Sequence, residues 1–386
     1  MLRTNSSPQY VDLLNMEDEE SLASLIYSSG TTARPKGIMH SHRSLIFFMV
    51  QALDMVRPSI NDVYMMIVPL FHGFSWQAIW NIPRFGGKIV CLRYMDPGYI
   101  LKQARDNKVT TCCAAPTVIN FLRMHPDWEK MTWPKGSHFH LAGSPTPLPV
   151  ITALEEKGIW YGHMYGMTEA PFATHNDFNY AKKEWQNLSV EERANMMARQ
   201  GIVTYPGVIK VVKDDGTEVK HDGKDQGEVI VKGAHASHGY WKAPEATAER
   251  FINGWFHSGD IAVVHPDHYI EIVDRKKDMI LSGGENIASA EVERVLFQHP
   301  AIADTTVVGV PHEKWGETVK ALVVLRTGCT ATEDEILKFC KSNLAGYKCP
   351  TSVDFIQELP KTPTGKVQKF LLRERYWEGY GKRVKG

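Results

Sequence analysis

Ten residues near the start of the chain, Ser28-Ser29-Gly30-Thr31-Thr32-Ala33-Arg34-Pro35-Lys36-Gly37, gather hydroxyls, glycines and a lysine directly after a short apolar run. Glycine lets backbone N–H groups face an anion without side-chain interference, hydroxyls add donors, and Lys36 adds charge, so the segment reads as a phosphate cradle. Its spacing is not G-x-x-x-x-G-K-[S/T], and composition alone fits a Ser/Thr-rich surface loop equally well. Tyr165-Gly166-Met167-Thr168-Glu169 sets an aromatic face, a close-approach glycine, a hydroxyl and a carboxylate side by side. One glutamate beside a threonine hydroxyl suits a magnesium-nucleotide complex better than an all-protein metal cage. Asp260, after Gly254-Trp255-Phe256-His257-Ser258-Gly259, offers an acceptor-only side chain, or else a solvated cap. Lys366 ends Pro360-Lys361-Thr362-Pro363-Thr364-Gly365-Lys366, at the tip of a proline- and glycine-shaped loop. A lysine so placed can stabilise phosphoryl oxygens, which is most of what nucleotidyl transfer requires of a protein.

In this order the segments resemble the signatures of the adenylate-forming superfamily of acyl-CoA synthetases, adenylation domains and luciferases, [S/T]-S-G-T-T-G-x-P-K-G and Y-G-x-T-E among them. The resemblance runs from Tyr27 to Lys369. It implies that ATP is held by Ser28, Ser29, Gly30, Thr31, Thr32, Lys36, Gly143, Ser144, Tyr165, Gly166, Asp260 and Arg275. Thr168 would sit near the α-phosphate, Glu169 on Mg2+, Tyr165 near the adenine and Asp260 on the ribose hydroxyls. Lys366 would be the adenylating lysine, and His72, in Pro69-Leu70-Phe71-His72, would orient or gate the carboxylate. Phe74, Trp76 and Gly166 would wall the acyl pocket. Lys277, in Asp274-Arg275-Lys276-Lys277-Asp278, would be a hinge, and Gly283 and Gly284 would leave room for the pantetheine arm of coenzyme A. Two positions depart from the pattern: Ala33 stands where the family has glycine, and Pro145 replaces an alanine after Ser144.

The implied reaction joins a carboxylic acid to CoA through an acyl-adenylate. In overall texture, Met95-Asp96-Pro97 and Pro116-Thr117-Val118 included, the chain most resembles the fatty-acyl and medium-chain branch. An adenylation enzyme serving a carrier protein shares every motif, although no D-S-L carrier segment is appended. A non-catalytic nucleotide-binding remnant is the rival from another class. Only 27 residues precede Ser28, fewer than the family carries. Apolar faces and a strand edge are therefore expected to lie open to solvent, to a second copy or to a partner chain.

The elements that must carry these residues follow from periodicity. From Leu22 to about Ala170, short apolar runs such as Val63 to Val68 and Thr110 to Ala114 alternate with helical patterns such as Ser44 to Met55 and Ile100 to Asn107. This predicts βα units around a largely parallel sheet, with the glycine-rich loop at a strand's carboxyl end. Ser189 predicts a helix cap. Val208 to Val212, Glu228 to Val231 and Tyr269 to Val273 predict a β-rich subdomain over 201–273. The expected fold is α/β, with a large N-terminal domain over 1–273, a hinge at 274–277 and a smaller α+β C-terminal domain over 278–386.

Composition excludes other classes. Forty-four basic and forty-four acidic residues give zero formal charge, which argues against nucleic acid or acidic lipid as the partner. The apolar stretch Leu45 to Val56 is interrupted by Gln51 and Asp54 and falls short of the roughly 20 residues a bilayer span needs. Six cysteines without paired spacing predict free thiols in a reducing compartment. With no targeting signal at either end, the cytoplasm is the expected location.

Overall fold

The computed structural model of the chain describes residues 18–28, 35–144, 146–177, 185, 187–362 and 367–380. Strands β1 (Leu22–Ser28) and β2 (Lys36–Ser41) lead into helix α1 (His42–Val56). Ser41 caps α1 by accepting from the Ser44 N–H at 3.1 Å. There follow β3 (Val63–Met66), α2 (Gly73–Arg84), β4 (Lys88–Cys91), α3 (Pro97–Asn107), β5 (Thr111–Ala114), α4 (Pro116–Arg123), β6 (His138–Ala142), α5 (Leu148–Glu156) and β7 (Trp160–Met167). Asp96 starts α3 as an N-cap with Pro97 in its first turn, and left-handed Lys108 ends it. Strand β8 (Ala170–Asp177) doubles back on β7, and after α6 (Val190–Met197) the short β9 (Ile202–Val203) closes the sheet.

The seven strands lie in the order β4-β3-β5-β6-β7-β8-β9, with every pair from β4 to β7 parallel, as the βα rhythm predicts. Met65, Cys112, Phe139, Leu141 and Tyr161 pack in one core with residues of α3, α4 and α5. Phe48, Ala52, Met55 and Val56 of α1 join Met164 and Phe172 on the opposite side. Ile46, Val50 and Trp80 lie exposed on α1 and α2, and β4 is a sheet edge. The expectation for the glycine-rich loop changes. Strand β1 pairs antiparallel with β2 in a two-stranded sheet of its own, so the loop spans a hairpin rather than the end of a parallel strand. The run after Pro35 is a strand through its pairing with β1, and it buries Gly37, Ile38, His40 and Ser41.

The β-rich subdomain contains β10 (Val208–Val212), β11 (Gln226–Lys232), α7 (Pro244–Arg250), β12 (Phe251–Ile252), β13 (Trp255–Val264) and β14 (Ile270–Arg275). Its antiparallel sheet buries Val211, Val229, Val231, Phe256 and Ala262 against Ala170 and Ala173 of β8. The remaining elements are β15 (Ile280–Ser282), β16 (Glu285–Ile287), α8 (Ser289–Leu296), β17 (Ile302–His312), β18 (Gly316–Leu325), α9 (Glu333–Asn343), β19 (Ser352–Phe355) and α10 (Lys369–Trp377). Ser189 and Thr332 form capping boxes with Glu192 and Glu335, at the starts of α6 and α9. Among the described residues, no helix is long and apolar enough to cross a membrane.

A buried ionic cluster ties the end of β14 and the residues after it to α8 and α10. The Asp274 carboxylate accepts from the Ser289 hydroxyl at 2.6 Å and from the Ala290 N–H at 3.3 Å. Lys369 donates to Ser289 Oγ at 2.6 Å and pairs with Glu293 at 2.8 Å. Glu293 also accepts from the Thr306 hydroxyl and the Val307 N–H, each at 2.8 Å. Arg373 reaches the Lys277 carbonyl at 3.2 Å and the Asp278 carboxylate at 3.1 Å.

Candidate active site

The β1–β2 hairpin is held in register by a third extended segment. The Met39 N–H donates to the Gly239 carbonyl at 2.9 Å, the His238 N–H to the Met39 carbonyl at 2.8 Å and the Trp241 N–H to the Gly37 carbonyl at 2.7 Å. This places the Lys36 ammonium 5.0 Å from the centre of the Tyr240 ring. The Tyr240 hydroxyl donates to Glu169 Oε1 at 2.8 Å. Glu169 lies in the turn between β7 and β8, where its carbonyl accepts from the Ser237 N–H at 2.8 Å. His40, on β2 and 1% exposed, places Nε2 2.9 Å from the Thr168 carbonyl and Nδ1 3.2 Å from Ser44 Oγ. Burial lowers its pKa to about 4, so the ring is neutral, and a carbonyl partner requires the proton on Nε2.

A second cluster begins at Tyr165 on β7, three residues before Thr168. The Tyr165 hydroxyl donates to Asp260 Oδ2 at 2.8 Å, and Arg275 Nε lies 3.6 Å from Asp260 Oδ1. Asp260 and Arg275 are cross-strand partners on β13 and β14. Burial, followed by the Asp260 charge, pushes the Tyr165 phenol well above its usual range and keeps it a donor. Gly259 must be glycine: φ is +72°, and a Cβ would stand 2.7 Å from Arg250. Gly166 sits where the β7–β8 register shifts, and a Cβ there would meet the Phe172 backbone nitrogen at 2.5 Å. Close backbone approach within the hairpin accounts for that glycine.

Five segments thus converge: β2 with Lys36 and His40, Tyr165 with Thr168 and Glu169, Tyr240, Asp260 on β13, and Arg275 on β14. Sequence reasoning missed two of these residues. Tyr240, in Gly239-Tyr240-Trp241, carries no acid–base or metal-ligating signal in the sequence, and His40 lies in no motif. The usable sign for Tyr240 was an aromatic hydroxyl flanked by Gly239, whose φ of +112° and closeness to Thr247 mark a tightly built segment.

Other predicted residues lie apart or outside. Ser29, Gly30, Thr31, Thr32, Ala33, Pro145 and Lys366, with the side chains of Ser28 and Phe74, fall outside the described residues. The base of the loop carrying Lys366 is pinned by a bridge between Lys361 and Val367 and by the Gln368 N–H on the Pro360 carbonyl at 2.8 Å. Gly143, with φ +94°, and exposed Ser144 follow β6. His72 is the N-cap residue of α2, and Trp76 packs half-buried against the Phe48 and Met164 cluster. Gly283 and Gly284 form the two-residue turn between β15 and β16, with φ +59° and +91°. That turn demands positive φ at both positions. Burial, then repulsion from Arg275 and Arg373 against the attraction of Asp278, brings Lys277 down to about 8.

Residues 2–241 match the family described as AMP-binding enzyme, and residues 291–366 match the AMP-binding enzyme C-terminal domain. The chain is 41% identical over 92% of its length to 4-hydroxybutyrate–CoA ligase 2 of Metallosphaera sedula, of which it covers 64%. It is 42% identical over 91% of its length to 2-methylpropanoate–CoA ligase of Humulus lupulus, of which it covers 63%. It therefore spans just under two thirds of the length of these curated relatives. Among solved structures, o-succinylbenzoate coenzyme A synthetase from Bacillus subtilis in complex with ATP and magnesium ion matches with a TM-score of 0.78 and 29% identity, covering 92% of this chain and 70% of that one. With two family matches in chain order and the same α/β architecture, the chain belongs to the AMP-binding enzyme family.

Proposed function

We propose that this chain activates a carboxylic acid with ATP and passes the acyl group to coenzyme A. A carboxylate oxygen attacks the α-phosphorus of ATP and pyrophosphate leaves. The CoA thiolate then attacks the acyl carbonyl and AMP leaves, the thiol proton passing to solvent. The observation that carries this reading is the convergence of Lys36, Tyr240 and Glu169 beside Tyr165, Asp260 and Arg275. Asp260 faces the site as an acceptor-only group suited to the two ribose hydroxyls. Lys36 supplies charge for the β- and γ-phosphates, and neutral Tyr165 offers a ring face to the adenine.

Mg2+ fits Glu169: a single carboxylate oriented by a neutral hydroxyl, beside Thr168, leaves the remaining coordination to phosphate oxygens and water. When bound, the ion neutralises charge that builds on the phosphates. In this reading Lys366 approaches the α-phosphate, residues about Lys277 let the C-terminal portion turn between the half-reactions, and Gly283 and Gly284 border the thiol. For the acid we propose an aliphatic carboxylate of the fatty-acyl class or shorter, with Trp76 at the pocket wall. Two relatives named for 4-hydroxybutyrate and 2-methylpropanoate support the shorter end.

Purified protein with ATP, Mg2+ and a panel of carboxylates should release pyrophosphate, and added CoA should yield the thioester. Lys366→Ala should abolish pyrophosphate release while ATP binding persists. Measurable ATP binding with no pyrophosphate from any acid would sink the proposal in favour of a nucleotide-binding remnant.

A further inference from the structure

Tyr240 stands between two groups of opposite charge. Its ring lies 5.0 Å from the Lys36 ammonium, while its hydroxyl is 2.8 Å from Glu169 Oε1. Its own position is fixed by contacts that involve neither. The Tyr240 N–H donates to Thr247 Oγ1 at 2.9 Å, and its ring meets Phe251 edge-on, with centroids 6.1 Å apart. A Cβ on neighbouring Gly239 would stand 2.4 Å from Thr247, so the backbone there has no latitude. Tyr240 itself is 6% exposed. Resting on that nucleotide-activating reading, we infer that Tyr240 is a positioning residue that keeps Lys36 and Glu169 from pairing with each other and presents each to a polyphosphate and its divalent cation.

The chemistry needs such a spacer. A lysine paired directly to the carboxylate would neutralise both groups, leaving less charge for the phosphates and less for the cation. A ring face attracts the ammonium without neutralising it, and a phenol orients a carboxylate while leaving its charge intact. At 2.8 Å from a carboxylate oxygen, which only accepts, the phenol hydroxyl is the donor. A residue serving only as scaffold would need the ring and not the hydroxyl.

That difference sets the test. ATP binding to the full chain is titrated by calorimetry, with Mg2+ and with a chelator instead, for wild type, Tyr240→Phe and Tyr240→Leu. Unfolding midpoints and the split between KM for ATP and kcat of pyrophosphate release are measured alongside. Tyr240→Phe should bind ATP normally in chelator but lose about tenfold of the gain that Mg2+ confers, the size expected for one hydrogen bond to a charged group. Its KM should rise more than its kcat falls. Tyr240→Leu should lose affinity in chelator as well, because the support for Lys36 is gone. A Tyr240→Phe variant with the full Mg2+ gain overturns the inference and leaves the proposed function standing. So does one that weakens equally with and without Mg2+ while its unfolding midpoint collapses, since that is a scaffold's behaviour. A wild-type chain with no Mg2+-dependent ATP binding overturns the functional reading and this inference with it.

Discussion

Replacing Lys369 with methionine removes the cation from a cluster that burial makes expensive to leave unbalanced. Lys369 and Glu293 are 2.8 Å apart, with side chains 15% and 18% exposed. Breaking a buried pair by deleting one partner costs about 3 kcal/mol at the lower end of the usual range, the end appropriate to residual exposure. For a unit of about 100 residues, that lowers the unfolding midpoint by about 15 °C. Glu293→Gln should cost less, about 1 kcal/mol. Gln can still accept from Thr306 and Val307, and Lys369 keeps Ser289 and the attraction of Asp274 and Asp278. In the double variant no uncompensated charge remains at position 293, so stability should recover most of what Lys369→Met loses. Burial already raises the Glu293 carboxyl, opposed chiefly by the Lys369 charge, and losing Lys369 raises it further. An acid whose folded pKa lies above its unfolded value binds more protons when folded. The Lys369→Met deficit should therefore shrink as pH falls from neutral through that raised pKa toward the unfolded range. Urea unfolding at several pH values reads this directly. A Lys369→Met deficit that is below 1 kcal/mol, or that does not change with pH, would refute the argument.

Asp260→Asn should weaken ATP binding about tenfold, since a neutral amide is a poorer acceptor for ribose hydroxyls than a carboxylate. Its unfolding free energy should stay within about 1 kcal/mol, because the 3.6 Å contact with part-exposed Arg275 contributes little and Asn can still accept from Tyr165. Calorimetric titration with ATP checks the first expectation, and unchanged affinity counts against the ribose role. Lys277 titrates at about 8 when folded, against an ordinary 10.5. Across that window the unfolded chain binds the extra proton, so stability should climb as pH rises from about 8 to about 10. Lys277→Gln should flatten the climb in denaturant unfolding, and a variant curve parallel to wild type would rule the assignment out.

Local rules carried the elements well, and long-range pairings carried the site. Ser189 and Thr332 announce α6 and α9 because a cap, an acidic first turn and an apolar stripe all lie within a few residues. The β10, β11 and β14 strands are equally local, in their runs of Val and Ile. By contrast, Tyr165 meets Asp260 across 95 positions, Tyr240 meets Glu169 across 71 and His40 meets Thr168 across 128. No periodicity reaches that far. The recurrent motifs supplied Tyr165, Asp260 and Glu169 as candidates because they record such pairings indirectly. Tyr240 and His40 went unread as site residues because their work is to hold other residues, and holding leaves no chemical oddity in a sequence.

The same distinction explains the glycines. Gly166, Gly283 and Gly284 were expected to make room for ligands, yet each is already required by backbone geometry: a register shift with Phe172 close by, and a two-residue hairpin turn. A glycine demanded by a turn can still border a ligand, but its identity no longer argues for one. The carboxylates and Lys36 do not share this ambiguity. An acceptor-only group such as Asp260, held by Tyr165 and Arg275 at 13% side-chain exposure, incurs a desolvation cost that packing alone does not explain. The weight of the nucleotide reading therefore rests on Lys36, Glu169 and Asp260, and the glycines follow from the fold that brings those three together.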